Sequence, residues 1–326
     1  MTGLLQRRRL LAGLAGLCAA GALPLAAQEV YPSRPIRFIV PFPPGSGAEL
    51  AARFIGQKIT EATGQGVVVE PRGGGNGFPA VQAVMAAPRD GYTLFFGSNS
   101  TLATNVALFR KLPYDPLTDF APISMAIRSP IVLLVPAASP YRNLGELIEA
   151  ARREPGRLSI GSGSAGYQMM GALFAERAAV QLLAVPYKSA PDTVRAVLGG
   201  EVNLGVVDVT SALPLVTAGK LRALAVASGR RLPGLPEVPT AGEQGVADFT
   251  IAPWNGAVAP AGVPKAVLDR LSDLFVRILA TPEAAEYFGR QNVEIMATGQ
   301  EPMRRYMREE VERWKRVAVL AKIELQ

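Results

Sequence analysis

The stretch IRFIVPFPPGSGAELAARFIGQKITEATG, from Ile36 to Gly64, sets a pattern that the rest of the chain repeats. The β-branched and aromatic run Ile36–Val40 is bounded by prolines and predicts a buried strand. The segment from Pro41 to Gly47 is then a loop, and apolar residues follow with helical spacing from Ala48 to Thr63. Because first-turn N–H groups lack intrahelical partners and the helix dipole favours negative charge, this strand, loop and helix can hold an anion.

The same order of strand, small-residue loop and helix recurs along the chain. A strand at 92–96 ends in the small polar residues 97–101, and a strand at 158–160 leads through the glycine-rich loop 161–166 into a helix at 167–178. Further strands are predicted at 67–69, 131–135, 202–207 and 221–227, and further helices at 79–87, 144–153, 191–198 and 211–217. Strands that alternate with helices predict parallel α/β sheets, whose ligands gather at the carboxyl ends of the strands.

Local signals also mark where several helices begin and end. Gly64 occupies the expected C′ position of the first helix, and Asn143 with Glu146 forms a capping-box pattern. Two more helices are predicted near the carboxyl end, opened by Pro264 at the first helical position and by Pro302.

Composition excludes several kinds of chemistry. The 326 residues include no histidine and a single cysteine, Cys18, which lies in a segment expected to be removed. Ser-His-Asp and Cys-His catalysis and the usual zinc ligation are therefore excluded. The sequence shows no clustered Asp/Glu motif for a carboxylate-only metal site, and no Lys/Arg run interleaved with aromatics for nucleic acid. We expect no catalytic residues, no metal, no cofactor and no nucleic-acid partner.

The amino-terminal segment has the pattern of a secretory signal peptide. Arg7–Arg9 precede the apolar run Leu10–Ala20 and the small residues Gly21–Ala27, which predicts cleavage near Ala27 and a periplasmic protein. A short membrane anchor is the alternative, but the glycine-broken run is marginal against the roughly 20 residues that span a bilayer. The arginines also resemble a twin-arginine signal, so the export route stays open. Losing these three arginines lowers the formal charge from +7 to +4, which suits a small anionic ligand.

The residues Gly161-x-Gly163-x-x-Gly166 match the dinucleotide-binding fingerprint, after a strand and before a helix. That fingerprint also needs an acidic residue about 20 positions further on. Here the next strand ends in Tyr187 and Lys188 instead. A carboxylate-sized anion held by the same N–H groups is therefore favoured over a dinucleotide.

Several candidate side chains have purely structural alternatives. Tyr187 and Lys188 could be a pair of ligand contacts. The structural alternative is a half-buried tyrosine ring beside a solvated lysine ammonium. Asp208, at a strand end, could contact the ligand through water, but capping of the next helix is favoured. Glu49 lies in a first helical turn, where stabilising the dipole is an equal alternative to ligand contact. For Trp254, packing is favoured over a place in the cleft wall.

Six segments along the chain together resemble one protein family. They are YPSRPI at 31–36, VPFPPG at 40–45, DGYTL at 90–94, KLPYDP at 111–116, VPYK at 185–188 and AGKLRALAV at 218–226. In this order they resemble the Bug family, the extracytoplasmic solute receptors of tripartite tricarboxylate transporters. The resemblance implies an α/β fold of the type II periplasmic binding proteins, with two Rossmann-like lobes, two crossings and a ligand cleft between the lobes. Lobe 1 would comprise 28–129 and 253–326, and lobe 2 would comprise 130–252.

The resemblance also implies partners and contacts. It implies a small carboxylate ligand, such as an organic acid, an acidic amino acid or an aromatic acid, and a membrane permease as partner; we expect a monomer. A ligand-sensing subunit that presents the carboxylate to a signalling partner is the alternative, with a hydrolase as a third. The implied ligand contacts are Phe42, Pro44, Gly45, Ser46, Gly47, Glu49, Ser98, Asn99, Ser100, Ser162, Ser164, Ala165, Gly166, Tyr167, Tyr187, Lys188 and Asp208. A bulky residue at Gly45 is expected to weaken binding more than Ser164→Ala.

Three departures from the family pattern leave the identity of the ligand open. Ser46 and Glu49 stand where a glycine and a later aspartate are usual, and Gln168, in a shortened loop, stands where a histidine is frequent. Ser189 follows Lys188 without the usual glycine.

Overall fold

The computed structural model describes residues 31–326, of which Arg34 to Gln326 form one compact unit. The predicted signal peptide and its cleavage near Ala27 lie outside the described residues. The strands are β1 (Ile36–Val40), β2 (Val67–Pro71), β3 (Thr93–Ser98), β4 (Phe120–Arg128), β5 (Ile131–Pro136), β6 (Ser159–Ser162), β7 (Leu183–Pro186), β8 (Leu204–Asp208), β9 (Leu221–Val226), β10 (Trp254–Pro260) and β11 (Glu294–Ile295). The helices are α1 (Gly47–Thr63), α2 (Phe78–Met85), α3 (Asn99–Leu102), α4 (Leu144–Arg153), α5 (Ala165–Arg177), α6 (Ala190–Leu198), α7 (Val209–Thr217), α8 (Lys265–Leu279), α9 (Pro282–Gly289) and α10 (Gln300–Leu320).

The strands form two sheets. The first has the order β11-β4-β10-β3-β1-β2, and the second has the order β7-β6-β8-β5-β9. Sheet membership changes between β4 and β5 and again between β9 and β10, so the chain crosses twice. The two crossings are joined where the Ser129 N–H donates to the Pro253 carbonyl at 3.0 Å. We call the regions around the first and second sheets lobe 1 and lobe 2; the exact residues at which they divide remain a prediction.

Both sheets are mixed, so the predicted parallel arrangement holds only in part. Strands β1, β2 and β3 are parallel, as are β6, β7 and β8. Strand β10 is antiparallel to β3 and β4, and β5 is antiparallel to β8 and β9. The register explains the reversal, because Asn255 at the start of β10 pairs with Ser98 at the end of β3, and Ile131 pairs likewise with Asp208. A strand that enters its sheet from the crossing starts where the parallel strands finish.

The predicted helix caps are confirmed, with small differences. Gly64 ends α1 in the left-handed region at a φ of 72°, and the Asn143 side chain accepts from the Glu146 N–H at 2.9 Å. The Glu146 carboxylate accepts from the N–H of Arg142, one residue before the cap, instead of from that of Asn143.

The two prolines lie elsewhere in their helices than predicted. Pro264 is the N-cap residue that precedes α8, and α10 begins two residues before Pro302. All N–H groups of a first turn lack intrahelical partners, so a proline is tolerated at several of these positions and does not fix the start.

Strand β4 has no predicted counterpart, although it lies inside the first sheet. Seven of its nine residues are buried, including Ser124, so the period-two alternation of a half-buried strand is missing. Helices α8 and α10 pack on β4, and α10 also contacts α5 of lobe 2. Within residues 31–326, no helix has the length and apolar character that crossing a membrane would require.

Candidate functional site

Two cavities lie between the lobes, where the carboxyl ends of the parallel strands face each other. The inner cavity measures about 30 Å³ and the outer cavity about 650 Å³. Phe42, Ser98 and Ser164 line both cavities, so we treat the two as parts of one cleft.

Most of the implied ligand contacts line this cleft. Those that line at least one of the two cavities are Phe42, Ser46, Gly47, Ser98, Asn99, Ser100, Ser164, Tyr167, Tyr187, Lys188 and Asp208. Those that line neither cavity are Pro44, Gly45, Glu49, Ser162, Ala165 and Gly166. The residues that the structure brings together come from both lobes.

The N-terminus of α1 faces the inner cavity. The Ser46 hydroxyl caps the helix by accepting from the Glu49 N–H at 3.3 Å, and it donates to the Pro43 carbonyl at 2.9 Å. The N–H groups of Gly47 and Ala48 have no hydrogen-bond partner among the described residues, and both residues line the inner cavity. Two free donors at the positive end of a helix can hold an anion.

Glu49 faces away from the cleft. Its side chain is 2% exposed, Oε2 accepts from the Gly45 N–H at 3.1 Å, and Oε1 pairs with the Arg53 guanidinium. The carboxylate therefore fixes the loop before α1 from behind and uses the Gly45 amide. Glu49 also lies in the first turn of its helix, as the dipole alternative expects, and it lines neither cavity; its contact with a ligand stays a prediction.

Ser98 lines the cleft and has a buried hydroxyl without a partner among the described residues. Its N–H donates to Thr101 Oγ1 at 3.2 Å, at the start of α3. Its Oγ is buried and has no hydrogen-bond partner among the described residues. Because an unsatisfied buried hydroxyl is costly, this atom is a second candidate to contact a bound ligand or a trapped water.

The lobes touch at the inner end of the cleft. The Ser100 hydroxyl of lobe 1 accepts from the Gly166 N–H of lobe 2 at 3.0 Å and lies 3.2 Å from Ser164 Oγ. A Cβ at Gly166 would lie 2.5 Å from Asn99 Nδ2, and a Cβ at Gly47 would lie 3.2 Å from Asp208 Oδ1. Glycine at these positions permits the approach of one lobe to the other.

Asp208 has the capping role that the sequence favoured. Oδ1 accepts from the Ser211 N–H at 2.9 Å, and Oδ2 accepts from the Tyr167 hydroxyl at 2.8 Å. Burial, with a further contribution from the Asp208 charge, raises the pKa of Tyr167 well above its usual value. Tyr167 is therefore a neutral donor with a fixed ring on the wall of the inner cavity.

The outer cavity carries charges of both signs. The Tyr187 hydroxyl donates to Glu201 at 3.3 Å, and burial, followed by the Glu201 charge, raises the pKa of Tyr187. Arg195 pairs with Asp192 one helical turn before it. The Lys188 ammonium is exposed and has no side-chain partner among the described residues, so it is the cation left to attract an anionic ligand at the mouth.

Several lining residues were not predicted. The glycine-rich turn 74–77 lines the outer cavity, and its place after β2, a strand parallel to β1, was a usable signal. Asp192, Arg195 and Glu201 carried no signal, because charged residues on a helix and in a following turn are usually solvated. Trp254 is fully buried and its Nε1 donates to Glu310 at 3.0 Å, which confirms packing, but it also lines the inner cavity.

The glycines of the apparent dinucleotide fingerprint serve close packing. A Cβ at Gly163 would lie 2.1 Å from the Ser189 carbonyl carbon, and one at Gly161 would lie 3.1 Å from Thr193. Gln168, which replaces a frequent histidine, lines a different cavity with Ile160 and Leu320. Within residues 31–326, no group of three or more Asp, Glu, Cys or His residues is placed to hold a metal ion.

Two α/β lobes joined by two crossings, with polar loops facing each other across a cleft, define a solute-binding protein of the periplasmic type. The chain belongs to the tripartite tricarboxylate transporter receptor family, whose model matches residues 51–325. It is 36% identical over 316 residues to the UPF0065 protein in the tcbD-tcbE intergenic region of Pseudomonas sp. (strain P51), covering 96% of this chain and 94% of that protein. It is 32% identical over 301 residues to BugT of Bordetella pertussis, covering 91% and 92% of the two chains.

Solved structures show the same fold. Rpa4515 of R. palustris, solved with adipate, matches with a TM-score of 0.88 and 32% identity, over 91% of this chain and 100% of the other. MatC of Rhodopseudomonas palustris, solved with bound malate, matches with a TM-score of 0.82 and 27% identity, over 88% and 99%. The predicted family and fold class are confirmed.

Proposed function

We propose that this protein is a periplasmic receptor that captures a small carboxylate in the cleft and delivers it to the permease of a tripartite tricarboxylate-type transporter. The main support for the proposal is that several hydrogen-bond donors without partners among the described residues lie at the inner cavity. The free N–H groups of Gly47 and Ala48 and the free hydroxyl of Ser98 face a cavity that lobe 2 closes with Ser164 and Tyr167. The relatives solved with adipate and malate support a carboxylate as the ligand.

The sizes of the two cavities suggest how the ligand lies. The inner cavity, at about 30 Å³, has room for a single carboxylate group or a water, since a cavity of about 10–15 Å³ already holds one water. The remainder of the ligand then extends into the outer cavity, past Tyr187 and toward the Lys188 ammonium. In this arrangement backbone donors recognise the shared carboxylate, and the outer side chains distinguish organic acids, acidic amino acids and aromatic acids.

Thermal unfolding with a panel of mono-, di- and tricarboxylates, amino acids and aromatic acids tests the binding function. A ligand that binds only the folded protein stabilises it by about 2.7 kcal/mol at a hundredfold excess over Kd. We expect at least one carboxylate to raise the melting temperature in proportion to the logarithm of its concentration. No shift with any member of the panel would contradict the proposal.

Delivery to a permease needs a test in cells. In a deletion strain, we expect uptake of the ligand to fall and to return when the gene is supplied again. Normal uptake with lost induction by the ligand would instead favour a sensing subunit. We also propose that the receptor leaves its ligand chemically unchanged, so turnover of any panel member by the purified protein would count against this assignment.

A further inference from the structure

A second large cavity, of about 610 Å³, lies behind the two crossings. Successive residues of the crossings alternate between this cavity and the cleft. Arg128, Pro130 and Ala252 line the cavity behind the crossings, whereas Ser129 and Pro253 line the inner cleft. The two crossings are therefore a thin wall with a cavity on each side, and any occupant behind the wall contacts the segments that join the lobes.

The charge of this rear cavity is positive. Arg128, Arg230 and Arg313 line it against a single acidic residue, Glu294. The Arg128 guanidinium pairs with Glu294 at 2.6 Å and Arg313 pairs with Glu310 at 3.3 Å, which leaves Arg230 without an acidic partner among the described residues.

The other two arginines, Arg230 and Arg313, differ in how far the protein itself engages them. Arg313 forms an ion pair with the buried carboxylate of Glu310 at 3.3 Å, and it donates to the Thr250 carbonyl at 3.3 Å. Arg230 is exposed, and its guanidinium has no partner among the described residues. Guanidinium groups bind carboxylate and phosphate oxygens through two parallel hydrogen bonds, so the free guanidinium of Arg230, in a lining that also includes Arg313, favours an anion.

The rest of the lining suits an apolar body. Leu232, Ile251 and Val293 are more than nine-tenths buried and form apolar wall. Tyr306 lies beside them. Burial raises the pKa of Tyr306 to about 12, with a further contribution from the Glu310 charge. Its hydroxyl therefore stays protonated at neutral pH and its ring adds aromatic surface. A cavity of several hundred Å³ with apolar walls and a few placed charges is typical of small-molecule sites.

The cavity is also bridged by a contact between the lobes. The Gly234 N–H, from the segment after β9, donates to Asn292 Oδ1 at 2.8 Å, and Asn292 lies between α9 and β11. A Cβ at Gly234 would lie 2.3 Å from Asn292 Nδ2, so a larger residue there would require the Asn292 side chain to move. The rear cavity is therefore bounded by both lobes and both crossings.

We propose that the rear cavity binds a small organic anion with an apolar body, such as an aromatic carboxylate, at a site separate from the cleft. Arg230 and Arg313 hold the anionic oxygens, and Leu232, Ile251 and Tyr306 contact the body. An occupant that contacts both crossings and binds one arrangement of them better than another would have an affinity coupled to that of the cleft ligand. Any such coupling is reciprocal by thermodynamic linkage.

Titration of 4-fluorobenzoate, followed by fluorine NMR, tests the site with a matched pair of variants. Arg230→Glu reverses one of the two proposed contacts, whereas Arg231→Glu makes the same charge change at a neighbouring arginine that pairs with Glu243 and does not line the cavity. We expect Arg230→Glu to weaken binding of the probe by about tenfold or more and Arg231→Glu to change it by less than about twofold. The proposal would be overturned if the two variants bound the probe with equal Kd, or if the native protein did not bind it.

A crystal structure with 4-bromobenzoate locates the site independently of affinity. The expected result is an anomalous bromine peak behind the crossings, between Leu232 and Tyr306, whether or not the cleft is also occupied. A peak in the cleft alone would overturn the assignment without affecting the proposed receptor function. In the NMR titration, inorganic phosphate should displace the fluorinated probe poorly. If phosphate displaced the probe at equal concentration, the cavity would be a site for simple anions, and the proposed apolar body of the ligand would be wrong.

Discussion

At the scale of single residues, the glycines of the cleft have different roles from those the sequence suggested. The sequence placed the close backbone approach at Gly45, but a Cβ there would meet nothing within 4 Å, and Gly45 lines neither cavity. Its φ of +81° is the feature that favours glycine. The close approach occurs at Gly166, against Asn99 and Ser100 of the other lobe.

We therefore predict that Gly166→Ala weakens ligand binding. The added methyl group would keep the lobes from meeting at the inner end of the cleft, and we expect the Kd of a ligand found in the panel to rise by about tenfold. Gly171→Ala is the matched control, because it changes the same residue type in the same helix but meets Ile160 in the interior of lobe 2. Calorimetry on both variants makes the comparison; a Gly166→Ala protein with native affinity would contradict it.

Ligand affinity should be nearly independent of pH between about 6 and 9, well away from the usual carboxyl and tyrosine pKa values. The chain has no histidine. Burial raises the pKa of both Tyr167 and Tyr187, and a raised tyrosine pKa keeps the hydroxyl neutral to a higher pH. Titration calorimetry across this range provides the check. A bell-shaped affinity profile would require a titrating group in the cleft that this account lacks.

At the scale of elements, the sequence was most informative where a local signal fixes a local structure. Helix α1 follows from its apolar period and from Gly64, and α4 follows from Asn143. Strand β4, buried on both faces, has no such period, and the reversed direction of β5 and β10 depends on where the chain enters each sheet. These features depend on contacts distant in sequence, so local patterns could not supply them.

The last helix, α10, is attached to the crossing by one buried carboxylate. Glu310 is 5% exposed, and its Oε2 accepts from the indole N–H groups of Trp254 and Trp314, each at 3.0 Å. Trp254 begins β10 and lines the inner cavity, so Glu310 positions a wall of the cleft from behind. No local pattern predicted this role, because charges of both signs are distributed along the whole helix.

Removing this carboxylate should destabilise the protein. Glu310→Ala leaves two buried indole N–H groups without an acceptor, and we expect the free energy of unfolding to fall by about 2 kcal/mol or more. Glu312→Ala, on the same helix, removes an exposed partner of Lys315 and should change it by less than about 1 kcal/mol. Urea denaturation monitored by fluorescence measures both, since the chain's two tryptophans are the two that contact Glu310. Equal stabilities of the two variants would argue against this role.

At the scale of the whole molecule, the cleft is made by residues that the sequence could group only through family resemblance. The loops after β1, β3 and β6 were recognisable one at a time as strand ends with small residues. Their meeting across the cleft, with Ser100 against Gly166, depends on how the two crossings set the lobes against each other. The same crossings separate the cleft from the rear cavity, so motion of the lobes about them would alter both cavities together.

The most direct measurement is a crystal structure of the protein with the carboxylate that gives the largest thermal shift. We predict one carboxylate group at the inner cavity, within hydrogen-bonding distance of the Gly47 or Ala48 N–H or of Ser98 Oγ, directly or through one water. The rest of the ligand would extend past Tyr187 into the outer cavity. A ligand bound outside the cleft, or one whose carboxylate avoids the N-terminus of α1 and Ser98, would contradict the central claim that unused donors between the lobes form the binding site.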